Sequence, residues 1–279
     1  MRLQISHEIH YRYKSAPKRA IEVLRLTPQN HQGQFIVDWR LDVSSDGRLT
    51  RIDDGFGNIA HSVSIEGPIE SFSVIASGEV ATDDTAGVVR EAVERLPVAV
   101  FLRDTEFTQP TPRIAEFADR VLAGAVDRLD FLHRLNKTLH ERFEATENPP
   151  APTRHAGEIE AGEDEASAQD LAHLFVSTAR RAGVPARFVC GYRRRDDVES
   201  VRAIHSWAEG YAEGLGWIAF DPSDGQCPTY DHVRLGIGLD WLGAAPIRGA
   251  RTGGEGETLT QIIRAHSAGG RPTSQSQAQ

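Results

Sequence analysis

The sequence predicts an α+β protein in which an antiparallel β domain precedes a layer of helices packed on a second antiparallel sheet. Three observations predict it. Apolar residues recur with period two up to about residue 80, with helical spacing from about 112 to 182, and in short β-rich runs bounded by Gly, Pro and Asp thereafter. At a soft scale of about 150 residues per domain, 279 residues suggest two domains or one large one.

The β domain is assigned to residues 1–85. Leu3, Ile5, Ile9, Tyr11 and Tyr13 alternate as a half-buried strand does, and Phe35, Val37, Trp39, Leu41 and Val43 repeat the pattern, as do Ile59, Val63 and Ile65. Ser45-Asp46-Gly47 and Asp54-Gly55-Phe56-Gly57-Asn58 supply residues that tolerate positive φ, so consecutive strands can reverse between them. A sandwich is expected.

A polar stretch, 81–87, leads to the helices. Pro112 starts the first, whose apolar face is Ile114, Phe117, Ala118, Val121 and Leu122. Leu129, Leu132, Leu135, Leu139 and Phe143 stripe the second, with Asn148-Pro149-Pro150 as its expected stop. A Pro-, Gly- and acid-rich loop spans 148–166. The third helix is expected over 168–182, with Leu171, Phe175 and Ala179 on one face and Gly183-Val184-Pro185 ending it. ARFVCGY, HSWAEGYAEG and GWIAFDPSDG then read as strands. The helix-and-sheet core is assigned to 100–250, a C-terminal strand or extension to 251–265, and a disordered tail to 266–279.

Composition excludes several function classes. Apolar residues are 39%, charged residues 25%, and mean hydropathy is −0.39, as in an ordinary globular protein. A net charge of −9 opposes a broad sequence-independent grip on nucleic acid or anionic lipid, and no stretch is apolar enough to span a bilayer as a helix. No nucleic-acid or membrane partner is expected. The N-terminus has no signal-peptide core, and only Cys190 and Cys227 are present, which points to a cytoplasmic protein without a disulfide framework. There is no H-E-x-x-H, no paired C-x-x-C, no phosphate-binding Gly loop and no dinucleotide fingerprint. Neither metal nor cofactor is expected.

The informative segment is the ordered set QDLAH (169–173), GVPARFVCGY (183–192), HSWAE (205–209) and GWIAFDPSDG (216–225). These runs resemble the transglutaminase-like superfamily. Its bacterial members carry a helix beginning G-V-C-Q-D-x-A-H, then G-x-P-A-R-Y-V-S-G-Y, S-H-A-W-A-E and G-W-x-x-F-D-P-T-N-G. LRLTPQ (24–29) and DDGFGNIAH (53–61) resemble the β domain that precedes that core. Four motifs in one order are far more specific than any one alone.

The resemblance implies a papain-like transglutaminase core with a Cys-His-Asp triad: a thiolate at a helix N-terminus, a His base on one strand and an Asp orienter on the next. A helix N-terminus lowers a thiol's pKa, and the His accepts its proton. Carried over by motif, His205 is the base and Asp221 the orienter. The nucleophile position falls on Ala168. A methyl group has no lone pair, so thioester chemistry cannot occur there.

Two histories fit: natural loss of the Cys, or a deliberate Cys-to-Ala change at 168 in an active thiol peptidase or amide transferase. The family's Gly-Val is replaced by Ala166-Ser167, and Glu163-Asp164-Glu165 crowd the helix start, where they would oppose thiolate formation. Natural loss is favoured. The function expected is therefore a pseudoenzyme that retains a cleft for a peptide or protein ligand. A protein encoded for its surface alone is a third reading.

No other residue is an obvious substitute nucleophile. Ser167-Ala168-Gln169-Asp170 has the form of a capping box, in which the hydroxyl accepts a backbone N–H. Cys190 reads as a small buried hydrophobe and Cys227 as a loop residue. Gln169 and Trp207 are the candidate substrate-binding residues, and helical spacing makes a polar network of Gln169, Asp170 and His173 plausible. Gly238-Leu239-Asp240 departs from the family's G-R-D by losing the Arg.

Overall fold

The computed structural model describes residues 1–147, 153–162 and 165–268. Expectations for Asn148-Pro149-Pro150, for Glu163-Asp164 and for most of the 266–279 tail lie outside the described residues. Six strands open the chain: β1 (Arg2–Arg12), β2 (Arg19–Leu24), β3 (Gln34–Val43), β4 (Arg48–Asp53), β5 (Ile59–Glu66) and β6 (Ser71–Thr82). In β1 and β6 buried residues alternate with more exposed ones, as the period-two pattern requires. The short β7 (Val88–Val89) and two 3-10 turns, at Val98–Leu102 and Glu106–Thr108, lead into the helices.

Helix α1 (Pro112–Ala123) starts where Pro112 predicts, with the Thr111 hydroxyl accepting the Ile114 amide. Helix α2 (Arg128–Arg142) is capped by Asp127, which accepts from the Asp130 amide. It ends six residues before the expected Asn148 stop. Phe143 turns extended and buries its ring, and the chain enters β8 (Glu144–Thr146). After α3 (Ala156–Ala161), β8 pairs in parallel with β9 (Glu165–Ser167), so pairing rather than proline ends the helix.

Helix α4 (Ala168–Arg181) has the expected start, and Gly183 at φ 75° follows its end. It is buried almost all round rather than on one face. The sheet strand β11 covers one side and α1, α2 and α3 the other, so positions that look polar by pattern, such as Ser177 and Thr178, are also buried. The core sheet has the order β13-β10-β11-β12-β7, with β10 (Ala186–Arg193), β11 (His205–Ala212), β12 (Gly216–Phe220) and β13 (His232–Gly238), all antiparallel.

Past the one-turn α5 (Trp241–Ala244), the chain returns to its beginning. Strand β14 (Ile247–Thr252) pairs with β2, and β15 (Thr258–Ser267) pairs with β1 from Leu3↔Ser267 to Arg12↔Thr258. The sandwich therefore consists of β15-β1-β6-β3 and β14-β2-β5-β4, and the 251–265 segment is structural to the first domain. The sandwich is fastened to the core by the 54–58 turn. Asp54 Oδ1 accepts the amides of Phe56 and Asn58, while Asn58 pairs with the backbone of Ile237 through two bonds of 2.8 and 2.9 Å.

One buried charge marks the sandwich interior. Glu22 is 4% exposed, lies opposite Gly249, and its Oε2 has no partner among the described residues. Burial, with Glu257 adding repulsion, raises its carboxyl from 4.5 to about 7. The folded chain thus keeps a proton that the unfolded chain has released, so stability falls as pH rises from about 4.5 to about 7 and stays low above. Glu22→Gln is expected to stabilise the fold by ~2 kcal/mol at pH 8, allowing for partial solvent screening, and to change little at pH 5. Urea midpoints at the two pH values check it; equal shifts at both would contradict it.

Candidate active-site groove

A groove of about 560 Å³ runs between the N-terminal end of α4, the end of β8 and the segment that joins β10 to β11. Ala168 and His205 both line it. Ala168 is the first residue of α4, the position at which unpaired amides and the helix dipole act together.

The capping box that sets this helix start is complete. Ser167 Oγ accepts the Asp170 amide at 3.2 Å, and Asp170 Oδ2 accepts from the Ser167 amide at 3.0 Å and from its hydroxyl at 2.7 Å. Arg154 Nη2 adds a fourth bond at 2.7 Å to the fully buried Asp170. Ser167 is 1% exposed with its hydroxyl engaged, so it caps and does not attack. Of the three acids expected to crowd this helix start, Glu165 is exposed and Glu163 and Asp164 lie outside the described residues, while the cap's own acid, Asp170, is paired with Arg154.

His205 opens β11, and Asp221 follows β12, so antiparallel neighbours bring the two side chains together. His205 Nε2 donates to Asp221 Oδ2 at 2.5 Å. An ionised carboxylate only accepts, so the proton sits on Nε2 and Nδ1 is left as the free ring nitrogen. Asp221 is 1% exposed. Burial opposes its ionisation, yet the attraction of His205 and the hydrogen bonds from His205 and His232 hold its carboxyl well below the ordinary range.

Two partners of Asp221 were not singled out in the sequence. Ser223 donates to Oδ1 through its amide at 3.0 Å and its hydroxyl at 2.6 Å. His232, at the start of β13, reaches Oδ2 at 3.3 Å. The signals were present: Asp-Pro-Ser is an Asx-turn sequence, and the alternation of His232 and Arg234 with Val233 and Leu235 places both polar residues on one strand face.

His205, Asp221 and His232 offer ligand atoms within 4.8 Å of one another, a spacing that invites a metal. The donor chemistry does not fit one. The Thr229 amide donates to His232 Nδ1 at 3.1 Å, so a neutral His232 carries its proton on Nε2, the atom a metal would need.

The other candidates fall in different places. Gln169 lines the groove and bonds to Thr153 Oγ1 at 3.3 Å. Trp207, expected to contact a ligand, is only 2% exposed; it packs beneath the pair, with its ring 5.6 Å from His232, and supports the site from behind. The expected network of Gln169, Asp170 and His173 is not formed. His173 accepts the Trp241 amide at 3.0 Å and stacks between Phe107 and Phe188, and burial pushes its imidazole down to about 4. Leu239 uses its carbonyl to accept from Arg180, while Asp240 caps α5.

Both cysteines are free and neither is activated. Burial pushes the Cys190 thiol up to about 12, and its Sγ donates to the Ala244 carbonyl. Burial, with Asp84 nearby, raises Cys227 to about 11. Neither lines the groove.

Comparison with known proteins agrees with this architecture. Residues 3–81 match the bacterial transglutaminase-like N-terminal region, and residues 115–222 match the transglutaminase-like superfamily. An uncharacterized protein of Mycobacterium leprae is 25% identical over 276 residues, covering 94% of this chain and 97% of its own. One from Mycobacterium tuberculosis is 22% identical over 275 residues, covering 89% and 87%. The crystal structure of a candidate cysteine protease from Cytophaga hutchinsonii shares the fold, with a TM-score of 0.77 over 98% of this chain and 92% of that one at 18% identity. The chain belongs to the transglutaminase-like superfamily, carrying the bacterial N-terminal region ahead of a transglutaminase-like core in which the first residue of α4 is Ala168.

Proposed function

We propose that this protein is a transglutaminase-like pseudoenzyme that holds a peptide or protein segment in its groove without transferring an acyl group. One observation carries the reading: His205, oriented by the buried Asp221, shares a groove with Ala168, which offers only a methyl group. Acyl transfer through a thioester needs a lone pair at that position. Ser167 is engaged in the cap, and the thiols of Cys190 and Cys227 are raised and lie elsewhere. The groove walls carry paired charges, Arg193 with Asp224, Arg194 with Asp231 and Arg195 with Glu147, which suit a polar extended chain. A volume of about 560 Å³ is in the range of small-ligand sites.

Ala168→Trp fills the groove and tests this. With a fluorescent glutamine-containing peptide as probe, binding is expected to weaken at least about tenfold, or ~1.4 kcal/mol. Equal affinity for the parent and the variant would move the function to the outer surface.

A second reading has one observation in its favour. The base, its orienter and the helix cap are all assembled, as an enzyme whose cysteine had been replaced would show. The native codon at position 168 separates the two readings: a cysteine codon supports the replaced enzyme, an alanine codon the pseudoenzyme.

A further inference from the structure

We propose that His232 is a positioning residue of this site, a second imidazole that fixes the Asp221 carboxylate and through it the direction in which His205 presents Nδ1. The proposal rests on the reading of His205 and Asp221 as the surviving base and orienter. A carboxylate held by one imidazole alone can rotate about its own axis and let the ring change tautomer. Here it cannot. Oδ1 is clamped by the amide and hydroxyl of Ser223, and Oδ2 is shared between His205 at 2.5 Å and His232 at 3.3 Å.

His232 is itself fixed. Its Nδ1 accepts the Thr229 amide, its own amide donates to the Thr229 carbonyl at 3.1 Å, and its ring stands edge-on to Trp207. The side chain is 6% exposed. Protonating Nδ1 would expel the Thr229 amide, so His232 serves as a neutral donor and His205 remains the ring free to accept a proton. The charged groups around the two rings are Asp221 after β12, the Arg193–Asp224 pair over the groove, the Arg194–Asp231 pair beside β13, and the Arg234–Glu209 pair, which lines a cavity with His232 and Trp207. The three arginines are already paired with their own acids, which leaves Asp221 to the two imidazoles.

The test uses two readouts. In the unaltered chain, nitrogen-resolved NMR is expected to show both neutral rings protonated on Nε2, and His232→Phe is expected to give His205 a mixture of tautomers. In an Ala168→Cys background, alkylation by iodoacetamide is expected to keep a reactive plateau below pH 7 from the thiolate–imidazolium pair. His232→Phe lowers that plateau about tenfold or more, whereas His232→Gln stays within about threefold. The Gln carboxamide can both donate to Asp221 and accept from Thr229, so its rescue separates positioning from a merely structural role.

A His232 ring protonated on Nδ1 in the parent overturns the proposal without any variant. So does an unchanged His205 tautomer and alkylation profile in His232→Phe, or equal loss in the Phe and Gln variants. Micromolar binding of Zn²⁺ that is lost in His232→Gln would also overturn it, making the ring a ligand. If the Ala168→Cys chain shows no plateau while the His205 tautomer still responds to His232→Phe, the surviving-base reading fails and the positioning role stands.

Discussion

Ala168→Cys is expected to turn this protein into one that acylates itself. The introduced thiol would sit at the first position of α4, where the helix dipole favours a thiolate, in the groove that His205 lines. Given an activated phenyl ester, the sulfur forms a bond to the carbonyl carbon and the carbon–oxygen bond to the phenol breaks. The phenol leaves with the proton that His205 took from the thiol. Intact-mass measurement should show one acyl increment on the variant and none on the parent. Adding His205→Ala to the Ala168→Cys chain should slow acylation by about 10²–10⁴-fold, the usual contribution of a positioned general base. Acylation of the double variant at the rate of Ala168→Cys alone would show that His205 does not serve that position.

The second large effect is on stability. Asp170→Ala is expected to cost about 3–4 kcal/mol, because it removes a fully buried carboxylate that binds Ser167 twice and Arg154 once. The loss combines an opened helix cap with a partly buried guanidinium left without its acid. Since Arg154 then suffers from the missing charge, Asp170→Ala with Arg154→Met should cost less than the two single changes added together. Urea denaturation of the three variants measures this. A loss below about 1 kcal/mol for Asp170→Ala would mean that the cap is not what holds the helix start.

The same residues show why some of the architecture was legible in the sequence. Thr111-Pro112, Ser167-x-x-Asp170 and Gly183 are local signals whose hydrogen bonds close within a few residues, and α1 and α4 begin where these signals put them. His205 and Asp221 were readable by resemblance because short motifs carry them, and adjacent antiparallel strands had only to bring them side by side. The non-local features were not readable. The pairing of β15 with β1 joins the two ends of the chain, and nothing near Thr258 announces its partner. The end of α2 was set by β8 meeting β9 more than twenty residues later, not by the prolines that follow. The burial of α4 on all sides depends on how three other helices pack around it, which a single helix's periodicity does not encode. Trp207 looked like a cleft aromatic; two residues along β11 it shares the face of His205, but it is packed against the rings of His205 and His232 and is 2% exposed, a covering that strand periodicity does not encode.

His232 and Ser223 extend that lesson to chemistry. A motif names the residues that react, while the groups that hold those residues come from wherever the fold delivers a donor. Asp221 accepts from four such donors, and only the one from His205 was expected.

The most direct test is turnover by the unaltered, purified chain with a glutamine-containing peptide and a primary amine, followed by mass spectrometry for ammonia release, transamidation or cleavage. The account predicts no product above the buffer control and no difference between the parent and His205→Ala. Product that forms with the parent and disappears with His205→Ala would contradict it.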